Sequence, residues 1–426
     1  MRIKPIPTGL LRRLALASSV LAFLIQLVLV ILHWNTPQGS DMGVYIAYAE
    51  QCADQNSFYP TMMHLHSRYL FAPGWVNFLV LCINLFSTWK AAIVVNLIMS
   101  QLITWCLYLL GRKFFGPRTA CVAVIMWSLL YSNWFAVVPV GTEVPFLCLS
   151  LAAFTLCVCR DGRLWAYLLA GALLVTANYV RPLAILFIVA IVAYMLLHRS
   201  RPVAYLALVV PIVAGVWFYG SVSARNVGIF APQSTTSGVN LVMTANDKAY
   251  GGVASHLLED STTICYIADE EKYTFTQVDS IHKARAVAWI KEHPGKYAAL
   301  YLKKLAGLFV EDSWADRPVL GGDGFIGQAA TGAADKTALL KRVAHMAAGS
   351  LVYYAVLVLA LIGIIRNRKL IVRNYASQGI LLLLLVMGIG STCLFSVSPR
   401  YHYPFLFILV LFAAQQLCPK DLKRET

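Results

Sequence analysis

Charge is scarce in this sequence: only 13% of its 426 residues are Asp, Glu, Lys or Arg, and just 20 are acidic. A soluble chain of this length carries about twice that charged fraction. With 59% hydrophobic residues and a mean hydropathy of +0.67, the shortage excludes an ordinary soluble domain. No glycine-rich phosphate loop is present, so nothing points to a nucleotide-sugar site. No internal repeat or low-complexity tract is visible, which weighs against transporters built from inverted repeats. No small-residue cleavage motif follows the first apolar run, so that run is expected to be a retained helix.

What the sequence does have is apolar runs. Spans are expected at about 14–32, 91–110, 119–138, 143–159, 164–180, 183–198, 203–219, 348–365, 376–395 and 402–418. In hydrocarbon the backbone must bond to itself, so these runs should be helices. The segment 73–86 is apolar but short, and is expected to be a half-embedded or interfacial helix on the outer face; an eleven-span arrangement stays open.

The basic residues set the orientation. Six clusters (Arg2/Lys4/Arg12/Arg13, Arg112/Lys113/Arg118, Arg160/Arg163, Arg199/Arg201, Arg366/Arg368/Lys369/Arg373, Lys420/Lys423/Arg424) hold 18 of the 35 basic residues. With ten spans all six fall on one side, expected to be cytoplasmic. Residues 221–346 hold 13 of the 20 acids, on the other side. The net charge of +15 is therefore a topology signal, and nucleic acid is not expected as a partner. The expected organisation is an N-terminal membrane module, 1–219, with an outer loop at 33–90; a large outer loop region, 220–347; and C-terminal membrane helices with a short tail, 348–426. In the large loop a helical stretch is expected at about 276–310, broken at HPGK, and Gly321, Gly322, Gly324 and Gly327 suggest a flexible return.

Most of the ten cysteines lie in spans and act as small apolar residues. Cys52 and Cys265 lie in outer loops, where a disulfide between them stays open.

The first outer loop carries a set of polar residues with helical spacing. Ser40 is expected to cap a helix beginning at Asp41. On it Asp41, Tyr45, Tyr48 and Cys52 share a face. A carboxylate at the bilayer surface suits a general base, although a solvated capping acid is the plainer reading of Asp41 alone. Glu143, Arg181, Arg400 and Arg68 fall at the same outer depth. Ionisable groups at membrane depth usually line a cavity, and arginine presents a planar fork that matches phosphate. Each arginine taken singly is equally well a headgroup anchor. His64 and His66, with His33 and His402 nearby, raise the question of zinc; an incidental HxH is the plainer reading. Lys303 and Lys304 read as part of an amphipathic helix on the membrane surface.

These segments carry a resemblance. SDMGVYIAYAEQC, RYLFAPGWVNFLVLCINLFS, LLGRKFFGPRTACVAVIMWSLLYSNWFAVVPVGTEVPFLCLSLAAF, NYVRPLAIL, TTSGVNLVMTANDKAYGG, HPGKYAALYLKKLAGLF and SPRYHYPFLFILVLFAA occur in the order seen in bacterial members of glycosyltransferase family 39. The chain resembles that family, which includes protein O-mannosyltransferases and aminoarabinose transferases. The resemblance implies an all-α polytopic membrane protein of the GT-C type, with about ten transmembrane helices, interfacial helices and a mixed outer loop domain. It implies transfer of a sugar from a polyprenyl-phosphate carrier, with inversion, to an acceptor glycan, lipid or protein at the periplasmic face of a bacterial inner membrane. Asp41 would be the base, Glu143 a second acid, and Arg68, Arg181, Arg400 and Tyr401, with Tyr45 and Tyr48, the substrate- and phosphate-binding groups. Met42 stands where relatives often place a further acid. No organic cofactor is implied, and a divalent metal ion stays open. Two other functions stay open as well: a transporter or flippase for a lipid-linked sugar, and a surface-polysaccharide polymerase or ligase.

Overall fold

A computed structural model of the chain describes residues 6–317 and 336–418. The terminal basic residues Arg2, Lys4, Lys420, Lys423 and Arg424, and Gly321, Gly322, Gly324 and Gly327, lie outside the described residues. Among the described residues the chain is helical, with one isolated bridge between Gly252 and Val397 and no strand.

Nine of the ten expected spans each fall largely on one helical stretch; the remaining one, 119–138, is broken at Leu130 into Pro117–Leu129 and the short Tyr131–Phe135. The N-terminal half runs α1 (Thr8–Leu32), α2 (Ser40–Asp54), α3 (Pro73–Phe86), α4 (Ala91–Phe114), α5 (Pro117–Leu129), α6 (Tyr131–Phe135), α7 (Glu143–Cys159), α8 (Leu164–Val180), α9 (Ala184–Leu197) and α10 (Pro202–Val227). The second loop carries α11 (Ser237–Val242), α12 (Phe275–Glu292) and α13 (Pro294–Leu308). Then come α14 (Lys336–Gly349), α15 (Leu351–Arg366), α16 (Arg368–Arg373), α17 (Ile380–Thr392) and α18 (Tyr403–Leu417). Four helical stretches are long and apolar enough to cross a membrane: α1, α4, α10 and Tyr375–Thr392. The pair α14 and α15, bent by 51°, makes a fifth. α5, α7, α8 and α9 have 13 to 17 residues, or about 20–26 Å, less than a hydrocarbon core of about 30 Å. The protein is a multi-pass membrane protein; of its shorter helices α7 is almost wholly buried, whereas α8 and α9 expose Trp165, Leu168, Ile185 and Leu196.

The lipid-facing and buried surfaces follow from composition. α1 and α10 leave Leu16, Val20, Ile31, Val213, Trp217 and Phe218 exposed, as helices against acyl chains must. α18 lies at the centre, against α5 and α15, and almost all of its side chains are buried. α8 sits between α7 and α10. Polar side chains inside the bundle bond across helices, where hydrocarbon offers no alternative. Gln26 on α1 donates to Ser100 Oγ at 2.8 Å and to the Asn133 carbonyl at 2.7 Å.

Three sequence expectations change. Ser40 does not cap α2: it is the helix's first residue, at a φ of 55°, and no side-chain cap bond forms. Cys52 and Cys265 are free thiols buried in separate apolar clusters, so there is no disulfide between them. Burial raises the Cys52 thiol to about 12. Lys304 does not reach the surface: it is 1% exposed, with its ammonium over the Tyr297 ring and 3.4 Å from the Leu394 carbonyl. The short apolar segment 73–86 is helical, as α3. It is anchored by Asn77, which donates to the Tyr59 carbonyl and to the Tyr179 hydroxyl.

The contact between α8 and α10 requires glycine. A Cβ on Gly171 would meet the Leu208 carbonyl oxygen at 2.3 Å, whereas one on Gly307 in α13 would meet nothing within 4 Å. Gly171→Val is expected to destabilise the protein by about 1–3 kcal/mol. Gly307→Ala should be neutral or stabilising by up to about 1 kcal/mol. Thermal unfolding in detergent checks both.

Candidate active site

Three helix ends converge on one carboxylate. Glu143 is the first residue of α7, Arg181 follows the last turn of α8, and Arg400 lies in the short turn before α18. Arg181 Nη1 donates to Glu143 Oε1 at 2.9 Å, and Arg400 Nε lies 3.6 Å from the same oxygen. Arg400 Nη2 also pairs with Asp41, at the start of α2. Both guanidiniums lie over the Tyr401 ring, at 4.7 Å and 5.4 Å from its centre. The four charges thus form one chain: Asp41, Arg400, Glu143, Arg181.

Local backbone makes room for it. A Cβ on Gly141 would sit 2.7 Å from Glu143 Oε2, so the VGTE sequence lets that carboxylate fold back. Ser40 and Ala72 both hold left-handed backbone angles beside the cluster, at φ values of 55° and 44°. Such conformations are costly for residues with a Cβ and collect at functional sites. Glu143 is 4% exposed, which is tolerable only because two cations face it.

The cluster opens into a cavity of about 260 Å³. Asp41, Tyr45, Glu143, Arg181, Arg400 and Tyr401 all line it. Burial, and next the Asp41 carboxylate, raise the Tyr45 phenol well above its usual range, so it serves as a neutral hydroxyl. Burial opposes the charge on Arg400, but Asp41, Tyr401, Glu143 and Tyr45 together outweigh it and the guanidinium stays firmly protonated.

Two of the residues expected at the site lie elsewhere. Arg68 is outside the lining and pairs with Glu270 of the second loop at 2.8 Å. Tyr48 is also outside it, stacked on Tyr59 with its edge on His64. The histidines are scattered in their bonding: His33 faces Thr36, His64 faces Thr61, His66 faces the Tyr273 carbonyl, and His402 faces Asp312. Among the described residues no group of three or more His, Cys, Asp or Glu side chains gathers to hold a metal. Asp41 and Glu143 are instead engaged by guanidiniums, so the donor set does not fit a metal ion.

Sequence reasoning missed two features. The first is the neutral polar part of the lining, including Gln233, Ser234, Thr236, Asn240, Thr392 and Ser396. The second lies behind the Arg400 turn, where Glu311, Asp312 and Asp316 are fully buried. Asp312 accepts from the Ser132 amide at 3.1 Å, and its other oxygen lies 3.4 Å from His402 Nε2. His402 Nδ1 lies 2.9 Å from the Leu308 carbonyl, and the ring stacks on Tyr353. This clamp fixes the turn that aims Arg400 and Tyr401 at the cavity.

The comparisons with known proteins agree with this architecture. Residues 71–219 match the family model described as dolichyl-phosphate-mannose-protein mannosyltransferase. The apo oligosaccharyltransferase of Archaeoglobus fulgidus superposes with a TM-score of 0.50 at 15% identity, over 95% of this chain and 50% of that one. The chain has a GT-C fold. It spans about half the length of that oligosaccharyltransferase. The zinc and sulfate complex of the same enzyme gives a TM-score of 0.49 at 15% identity, over 94% and 49% of the two chains. ArnT from Cupriavidus metallidurans bound to undecaprenyl phosphate gives 0.39 at 13% identity, over 97% and 78%. No curated protein matches the sequence. The resemblance noted from the ordered motifs is thus supported.

Two predictions follow from this geometry. Removing one member of a buried ion pair leaves an uncompensated charge. Glu143→Gln should therefore destabilise the protein by about 3–5 kcal/mol, and more than Asp41→Asn, whose side chain is 28% exposed. Differential unfolding of the two variants checks the order. Lys304 gives a pH signature. Burial lowers its pKa from 10.5 to about 8. Between those values the unfolded chain binds more protons, so stability should rise with pH from about 8 to 10.5. Lys304→Met should remove that rise in pH-dependent melting curves.

Proposed function

We propose that this protein transfers a sugar from a polyprenyl-phosphate carrier to an acceptor, with inversion at the anomeric carbon. The observation that carries the reading is Arg400, shared between Asp41 and Glu143 in the lining of the cavity. The family matched by residues 71–219 is named for dolichyl-phosphate-mannose, a sugar on a lipid phosphate. A phosphodiester entering the cavity meets Arg400 and Arg181, the only cations in its described lining.

The same geometry suggests how the base is released. In the free protein Asp41 is engaged by Arg400. A carrier phosphate competes for that guanidinium, and each Arg–phosphate contact weakens the hold on Asp41. Asp41 then accepts the proton of an acceptor hydroxyl. That oxygen forms a bond to the anomeric carbon as the bond from this carbon to the phosphate oxygen breaks. The electron pair leaves on the phosphate, and Arg400 and Arg181 neutralise the charge developing there. Tyr45 and Tyr401 supply walls beside the reacting groups. Glu143 acts through the two arginines, holding their spacing. We place the site on the periplasmic face of a bacterial inner membrane, opposite the basic helix ends that the positive-inside rule assigns to the cytoplasm.

The test uses the full chain in detergent, a synthetic polyprenyl-phosphate sugar as donor, and membranes of the source cells as acceptor. Asp41→Asn should lower transfer by about 10²–10⁴-fold while binding of polyprenyl phosphate persists. Arg400→Gln should lose that binding. Full transfer by the Asp41→Asn variant would remove Asp41 as base. Wild-type transfer in detergent, where no gradient exists, separates the enzyme from a carrier that only moves the lipid-linked sugar.

A further inference from the structure

The charged lining residues form a closed set. Asp41 and Glu143 are two carboxylates, Arg181 and Arg400 two guanidiniums, and each is paired within the group. The rest of the polar lining is neutral. Besides Tyr45, Tyr401 and Thr142, it comes from the start of the second loop (Gln233, Ser234, Thr236, Ser237, Asn240) and from the end of α17 and the turn beyond it (Thr392, Ser396).

This neutral row is held in place with hydrogen-bonding capacity to spare. Asn240 Oδ1 accepts from Ser396 Oγ at 2.9 Å, and the Asn240 carbonyl accepts from the Ser396 amide at 3.2 Å. Those bonds fix Asn240 while using only its acceptors. Next to it, the Leu70 amide donates to Thr235 Oγ1 at 2.9 Å, and the Thr235 amide donates to the Leu70 carbonyl at 3.0 Å, tying the loop to the residues before α3. Thr392 is 6% exposed, yet its buried hydroxyl has no partner among the described residues. A buried hydroxyl left unbonded is costly and calls for an explanation. Thr392 lines the cavity, so a ligand there can supply the partner it lacks.

Hydroxyls and amides both donate and accept, as sugar hydroxyls do. A sugar ammonium would require a carboxylate of its own; Glu143 stays between the two guanidiniums, and Asp41, once the carrier releases it, is the base. A sugar carboxylate would compete with the carrier phosphate for the same two arginines. We infer that the neutral row is the sugar subsite, with Thr392 and Asn240 as specificity-determining residues, and that the sugar it takes is uncharged. This inference rests on the carrier-phosphate reading given above.

The test is binding to the full-length protein in nanodiscs, with four short-chain probes: bare polyprenyl phosphate, and the same lipid carrying a neutral hexose, an amino sugar or a uronic acid. The neutral donor should bind about tenfold or more tightly than either charged one. Thr392→Val and Asn240→Ala should each weaken the neutral donor about tenfold and leave the bare lipid within twofold. Thr392→Val should melt at the same temperature as wild type or higher, since it removes an unbonded hydroxyl; a purely structural threonine would lower it. Equal or tighter binding of a charged donor overturns the inference. So does a pair of variants that leave the neutral donor unchanged, or that weaken bare lipid and donor alike. If wild type binds no bare polyprenyl phosphate, the carrier reading fails and takes this inference with it. Bare-lipid binding with no preference for the neutral sugar sinks the inference alone.

Discussion

Glu143 is the residue on which the arrangement depends. It is a buried carboxylate at the first turn of α7, and it holds Arg181 from the end of α8 and Arg400 from the turn before α18. A single buried anion would be prohibitive in this setting. Two cations facing it make it stable, and they also fix where three helix ends meet. The spare face of Arg400 then reaches Asp41 on the loop helix. The order of helices around the cavity is thus tied to one ion network.

That network explains why the surroundings are built as they are. Gly141 clears space for the carboxylate. His402 points the other way, into the buried Asp312, so the turn between them presents Arg400 and Tyr401 in one orientation. Lys304 is buried under the segment that leads from α17 to this turn, near the Leu394 carbonyl. The second loop contributes less charge than its composition suggests. Asp279 takes the Gly238 amide at 2.6 Å, and Glu270 takes Arg68, so its acids hold the loop together and to the first loop.

Much of this is legible in the sequence because charge is rare there. Against apolar runs, Asp41, Glu143, Arg181 and Arg400 stand out, and a ten-span reading assigns them one depth; the structure brings them into one ion network. The same reasoning cannot separate Arg68 from them. It lies at a similar depth, and its partner Glu270 is 202 residues away. Tyr48 shares a helical face with Tyr45, but one turn along the helix it meets Tyr59 and His64 in place of the cavity. The neutral row is invisible to such reading, since serine, threonine and asparagine are ordinary loop residues. Glu311, Asp312 and Asp316 read as solvated loop acids until tertiary packing buries them. Lys304 reads as one lysine of an amphipathic stripe, and only the packing of α13 on the segment after α17 shows otherwise.

The central claim is that one guanidinium serves both the resting ion pair and the carrier phosphate. The most direct measurement is a cryo-EM structure of the protein in nanodiscs with a non-hydrolysable polyprenyl-phosphate sugar. The account predicts the phosphate between Arg400 and Arg181, with Asp41 released from Arg400 and facing the anomeric carbon. A phosphate bound elsewhere, with the Asp41–Arg400 pair intact, would contradict it.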